Sequence, residues 1–288
     1  MNNIGDKEYG RLYSAESDLA CERRRADLNI PGVELTKEIH KFFEWERIRI
    51  RSDEGARSIG RPKGNYDTFT VTEMSRLTDE EIDDLGNEIA KELCFLLDRI
   101  GICPDRILVI GLGNRDLTPD SIGPKTAEKI NATMHRTARY HDNYTLPDFS
   151  EIAVTIPGIT EKTGIETYES IAAICDRIEP DVILAIDSIT SRSTSRLGTT
   201  IQISDTGIIP GSGTGAHRRA LSEDTLGVPV IAIGVPTVIN ARILTDEEFC
   251  DGTIPKNSLF VSPKDIDTIT DVASAIISTG INQAFGIM

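Results

Sequence analysis

From Thr78 onward the apolar residues fall at helical spacing. Ile82, Leu85, Ile89, Leu93, Leu96, Leu97 and Ile100 recur every three or four positions behind Asp79 and Glu80, which would sit in a first helical turn, so a long amphipathic helix is predicted. Short all-apolar runs then alternate with helical stretches. Residues 107–110 (ILVI), closed by Gly111, have the composition of a strand buried on both faces. Further strands are predicted at 152–156, 182–186 and 230–233, with a short extended piece at 200–203. Between them the spacing predicts a helix from about 123 to about 138, and another over 163–178 with Ile171, Ile174, Cys175 and Ile178 on one face. A last helix is predicted near 263–278, with Ile266, Ile269, Val272, Ala273, Ile276 and Ile277 inward. Such alternation implies an α/β fold, a mainly parallel sheet with helices on both faces. Residues 31–78 instead mix extended segments (48–50, 66–71) with Gly/Pro/Lys turns. Residues 1–30 are charged and weakly periodic, which reads as a mobile or removable arm.

Composition narrows the function classes. The 288 residues suffice for one large domain or two modest ones. With 31 basic and 46 acidic side chains the net charge is −15, and a surface of that sign repels phosphate backbones. Direct nucleic-acid binding is therefore not expected, although substrates that themselves bind nucleic acid remain open. Five widely spaced cysteines form no CxxC pair and four histidines no HExxH unit, so neither a disulfide framework nor a metal site is indicated, and no cofactor is expected. The polar N-terminus has no apolar signal region and no run approaches 18 apolar residues, so a soluble intracellular protein is expected.

In an α/β sheet, catalytic groups lie beyond the carboxyl ends of the strands. Asp187 directly follows the run VILAI, and Asp120 lies in the loop GLGNRDLTPDSIGP after ILVI, so both should project from the same sheet edge. Two neighbouring carboxylates cannot both ionise cheaply; they can share a proton, deprotonate a water and protonate a leaving amine. The plainer alternative is that Asp120 caps a helix and Asp187 binds loop amides. Asn114 of the GLGN turn and Lys125, five residues after Asp120, are candidate supporting groups. GLGN lacks the third glycine of a dinucleotide motif. Asp205 stands in a DTG triplet that reads better as a turn, with a supporting role as the alternative. The 211–215 stretch GSGTG is rich in backbone donors, but it is not GxSxG, which leaves Ser212 a weak nucleophile and a candidate for substrate binding. His217, followed by Arg218 and Arg219, could orient an acidic substrate side chain or simply belong to a solvated charged loop.

Five long blocks, GLGNRDLTPDSIGPKT, IPGITEKTGIETYESI, PDVILAIDSITSRS, TIQISDTGIIPGSGTG and LGVPVIAIGVPTVI, fall in one order over roughly residues 105–240. Together they resemble the germination protease family, as do YSAESDLACE near the start and VSPKDIDTITDVASAIISTGINQAF at the end. The resemblance implies an atypical aspartic endopeptidase, with Asp120 and Asp187 matching the family's two implicated aspartates. It would be a zymogen that degrades the small, acid-soluble spore proteins coating spore DNA, within the cytoplasm of the forespore and spore core. Its implied organisation is a removable propeptide over 1–18, cut between Asp18 and Leu19, a single α/β protease domain over 19–288, and a homotetramer. The implied fold is similar to that of hydrogenase maturation proteases (phosphorylase/hydrolase-like), which makes a maturation-type processing endopeptidase one alternative. A non-catalytic peptide-binding module is another. The family members resembled are longer between VPTVI and the last helix, a stretch that is short here.

Overall fold

The computed structural model describes residues 17–22, 30–137, 150–212, 218–241 and 259–286. Among the described residues nine strands form one sheet: β1 (Val33–Ile39), β2 (Phe43–Ile50), β3 (Gly64–Val71), β4 (Arg106–Gly111), β5 (Glu151–Thr155), β6 (Val182–Ser191), β7 (Thr200–Ser204), β8 (Val230–Asn240) and β9 (Phe260–Val261). The order is β1-β2-β3-β7-β8-β6-β4-β5, with β9 added antiparallel beside β8. The strands read from the alternating pattern, β5, β4, β6 and β8, run parallel. Residues 33–71 add three antiparallel strands, joined to the parallel part through β7. The outermost, VELTKEI, is largely exposed, and its charges suit an edge.

Among the described residues eight helices accompany the sheet: α1 (Asp53–Ile59), α2 (Asp79–Arg99), α3 (Ile122–Ala127), α4 (Met134–Thr137), α5 (Thr160–Thr163), α6 (Thr167–Ile178), α7 (Glu223–Leu226) and α8 (Ile266–Ala284). Helix α2 starts on a capping box: Glu81 N–H donates to Thr78 Oγ1 and Thr78 N–H to Glu81 Oε2. Its buried Leu85, Ile89, Leu93 and Leu96 join Ile269, Ala273, Ile276 and Ile277 of α8 against Val109, Leu184 and Ile233 of the sheet. On the opposite face Ile171 and Cys175 of α6 pack on Leu108, Ile110, Ile183 and Ala185. Alternate residues of β4 and β6 thus serve two cores, which explains their unbroken apolar sequence. A third cluster sets α1 against Ile48, Ile50 and Tyr66. Among the described residues no helix is long and apolar enough to cross a membrane.

Several elements differ from their sequence pattern. The predicted 123–138 helix stops at Ala127 and resumes only at Met134. In between, Asn131 N–H donates to Asn282 Oδ1 and Thr133 N–H to the Ile152 carbonyl, so the chain leaves the helix to dock on α8 and β5. The 163–178 helix is interrupted at Gly164, whose φ of 73° ends α5. Strands β6 and β8 continue five and seven residues past their apolar runs, paired from Asp187↔Gly234 to Ser191↔Ile239. Asp187 therefore sits within β6 instead of directly after it. The arm also departs from expectation: Ser17, Leu19 and Ala20 are fully buried, so residues 17–22 belong to the packed body.

Candidate active site

Leu112 N–H donates to the Ile186 carbonyl at 2.8 Å, so the loop after β4 begins as an extension of the ladder toward β6. Gly113 follows with φ 108°, and a Cβ there would lie 2.2 Å from the Asp120 carbonyl oxygen; only glycine admits that approach. The Asn114 N–H then donates to both the carbonyl of Asp120 (2.9 Å) and its Oδ2 (2.8 Å). Thr118–Asp120 forms a single 3₁₀ turn before α3. At the start of α3 a Cβ on Gly123 would meet the Leu112 and Ile186 carbonyls at 2.1 and 2.5 Å, so a second glycine presses the Asp120 turn onto the strand ends.

The Asp187 side chain leaves β6 beneath this turn and is 4% exposed. Ser188 N–H donates to its Oδ1 at 2.8 Å and the Gly211 N–H also donates to it. Burial first, then the charge of Asp120, then that of Asp18, hold Asp187 well above the usual carboxylate range, against the two amide bonds. Burial likewise pushes Asp120 up to about 6, with the nearby Glu161 adding to the rise; the Asn114 N–H and the Arg218 charge oppose it. Both carboxylates line one cleft of about 290 Å³, with Asn114, Arg218, Glu161 and Phe260 among its walls. Arg218 pairs with Glu161 at 3.0 Å on its rim. Such a cleft can hold a polar chain next to one ionised and one protonated carboxyl, the two states that acid/base hydrolysis requires.

Comparison with known proteins settles the family. The family model described as germination protease matches residues 13–250. The germination protease of Clostridium tetani is 36% identical, with 94% of this chain and 95% of that one covered. That of Caldanaerobacter subterraneus is 33% identical over 95% and 94%. The chain belongs to the germination protease family. It is accordingly a peptide hydrolase. The Bacillus subtilis germination protease is 40% identical, covering 82% of this chain but 66% of its own. Among solved structures, a [NiFe] hydrogenase maturation protease, HycI from Thermococcus kodakarensis, overlaps 65% of this chain and 99% of its own at 18% identity and TM-score 0.31, too loosely to carry chemistry across.

Within this germination-protease chain the sequence candidates separate. Asp120, Asp187 and Asn114 meet at the cleft; the Asn114 Oδ1 accepts from Lys162 Nζ at 3.0 Å. Lys125 points away, bonded to Thr270 Oγ1 (2.6 Å) and Asp271 Oδ1 (2.7 Å) of α8. Asp205 also lies elsewhere, accepting from the Asn65 backbone N–H (2.7 Å) and side-chain amide, and so ties the start of β3 to the turn after β7. Asp205 thus stands in a turn, the reading its triplet favours, and away from the supporting role kept as its alternative; for Lys125, short sequence spacing from Asp120 does not fix the direction of the side chain. Ser212 does reach a functional candidate, donating from Oγ to Asp18 Oδ1 at 2.7 Å. His217 lies outside the described residues, as do 1–16 of the predicted propeptide. Among the described residues no group of three or more His, Cys, Asp or Glu side chains is arranged to hold a metal. Arg61, Thr190 and Gln202, which surround Asp18, escaped the sequence reading because nothing in the chain near them departs from ordinary turn or strand composition.

Proposed function

We propose that the chain is a zymogen endopeptidase of spore germination that removes its own first 18 residues and then degrades small, acid-soluble spore proteins. The observation that carries this reading is the placement of Asp120 and Asp187 on one cleft with both proton affinities raised, to different degrees. Near pH 7 an acid of pKa about 6 is ionised about ten to one, whereas burial and the charge of Asp120 favour the protonated form of Asp187. Asp120 then serves as base and takes a proton from a water whose oxygen adds to the peptide carbonyl carbon. Asp187 gives its proton to the amide nitrogen as the C–N bond breaks, leaving an amine and a carboxylic acid that ionises to solvent, and the proton taken up by Asp120 passes back to Asp187 before the next turnover. The two acids act as a unit, so the apparent titration belongs to the pair.

The working setting follows from the family resemblance: a homotetramer in the cytoplasm of the forespore and spore core, acting on proteins that coat DNA. A charge of −15 keeps such an enzyme off the DNA itself. The test is cleavage of a purified small spore protein by the chain lacking residues 1–18, beside its Asp120→Asn and Asp187→Asn variants, each shown to be folded by circular dichroism. Each substitution should lower turnover by roughly a hundredfold or more. Full turnover in either folded variant removes that residue from the chemistry.

A further inference from the structure

The two carboxyl groups account for the protons of peptide hydrolysis but leave one charge without a partner. When water adds to the carbonyl carbon, the π pair moves onto the carbonyl oxygen, and that oxygen needs a donor or cation fixed in place beforehand. The backbone amides beside the acids are already committed: Asn114 N–H serves Asp120, and the Ser188 and Gly211 N–H groups serve Asp187. Two hydroxyls of the cleft floor, Ser188 Oγ and Thr237 Oγ1, are shut off from solvent and so out of reach of a bound peptide. Among the described residues lining the cleft, Arg218 is the only cation.

The local structure sets Arg218 apart from its neighbour. The Arg219 guanidinium lies 3.7 Å from the centre of the Tyr168 ring on α6, and Tyr168 Oη donates to the Thr225 carbonyl at 2.9 Å, so this side chain pins the segment to the body. Arg218 instead lines the cleft, with 18% of its side chain exposed, and its charge is felt at Asp120. Its bonds to Glu161 Oε1 (3.0 Å) and Oε2 (3.2 Å) both run through Nη2, so Nε and Nη1 are not used in that pair. Glu161 is a loose partner. Its side chain is 67% exposed, and it stands on the single turn α5 between Gly158 (φ 75°) and Gly164 (φ 73°). A pair held on one side by an exposed carboxylate is weak enough for an entering peptide to displace.

We propose that Arg218 is a catalytic residue, the cation that binds the carbonyl oxygen of the scissile peptide and stabilises it as it becomes an oxyanion. No proton leaves the guanidinium: the charge stays on the oxygen until its electron pair re-forms the carbonyl, the C–N bond breaks and Asp187 protonates the departing nitrogen. Glu161 holds the guanidinium at the rim until the peptide enters. This inference rests on the acid/base reading above and deepens it.

The test compares Arg218→Gln and Arg218→Met, two uncharged replacements, with Arg218→Lys in the chain lacking residues 1–18. Each cuts a peptide with the sequence of residues 13–22 of this chain, at pH values raised until the rate levels off, and circular dichroism shows that each is folded. On that plateau Asp120 is ionised in every variant, so an effect exerted through its proton affinity disappears. The plateau kcat should fall roughly a hundredfold in the uncharged variants with KM little changed, and lysine should recover about tenfold of the loss, keeping the charge but not the planar fork. A folded uncharged variant with the plateau of the unsubstituted chain overturns the inference. So does a loss confined to KM, a lysine variant no better than the uncharged ones, or failure of both uncharged variants to fold. All four outcomes leave the aspartate pair standing, because that pair is tested by its own asparagine variants; no cleavage by the unsubstituted chain takes both readings down.

Discussion

Neighbours pull the proton affinity of Asp120 in opposite directions, which makes the pH dependence of cleavage a demanding test. Burial and Glu161 raise it, the Asn114 N–H and Arg218 lower it, and the balance stands at about 6. If Asp120 is the base, kcat/KM in the free enzyme should follow its ionised fraction. That fraction rises from roughly a tenth at pH 5 to roughly nine-tenths at pH 7, about tenfold, whereas a carboxylate at the unperturbed 3.9 would change almost nothing over that window. The assay is cleavage of one peptide from pH 4.5 to 7.5 by the chain lacking residues 1–18, with the substrate's own titration measured separately. Two variants sharpen it. Arg218→Gln removes a cation and also frees the charge of its partner Glu161, so the acid limb should move to higher pH. Glu161→Gln does the reverse and should move it lower. Each unit of displacement corresponds to about 1.4 kcal/mol, and as both groups stand at the rim, added salt should shrink the displacements. A limb near pH 4, or variants that shift it the same way, would refute the assignment.

Two further outcomes concern the frame that holds the site. Arg47 is sandwiched between Trp45 and Phe95 and bonded to Asp67 and Glu92, and burial together with the Asp67 charge pushes Glu92 up to about 8. The folded protein then keeps a proton that the unfolded chain releases near 4.5, so this group's contribution to stability falls as pH rises from about 4.5 to 8. Glu92→Gln should remove that decline, on the order of a few kcal/mol, in urea melts at pH 5 and 8; parallel curves for the two proteins would refute it. At Gly113, alanine would meet both an unfavourable φ and the Asp120 carbonyl, costing roughly 2–3 kcal/mol. Gly113→Ala should therefore depress kcat/KM far more than its modest fall in melting temperature explains, because the displaced group is the carboxylate itself; a loss of stability with normal kcat/KM would show that the turn can move without harm.

Much of the fold is legible because burial on two faces leaves a plain signature. The runs at 107–110 and 182–186 could only be interior strands, and α2 and α8 carry regular stripes for one face. The continuations of β6 and β8, broken by Asp187 and Ser188 in one and by Gly234 and Pro236 in the other, gave no such sign. DSITS and GVPTVIN remain extended because each pairs with the other across the ladder, a cause that lies in the partner strand and not in either sequence. The same holds for the break after α3, set by bonds from Asn131 and Thr133 to residues far along the chain.

The two aspartates and the surroundings of Asp18 differ in the same way. Asp120 and Asp187 each follow an unmistakable apolar run, so topology alone brings them to one edge, and glycines 113 and 123 tighten the approach. Asp18 draws its contacts from positions 61, 190, 202 and 212, up to 194 residues away and lying in four ordinary stretches of chain. Reading them needs the path of residues 17–22, and polar, charged composition argued for an arm rather than a packed segment. What packs that segment is its alternation on a finer scale. Leu19 and Ala20 supply the apolar contacts while Ser17, Asp18 and Glu22 find fixed donors, Glu22 on Ser191 Oγ and the Arg192 and Ser193 amides. A segment stabilised by so many specific bonds is costly to displace by anything that lacks them.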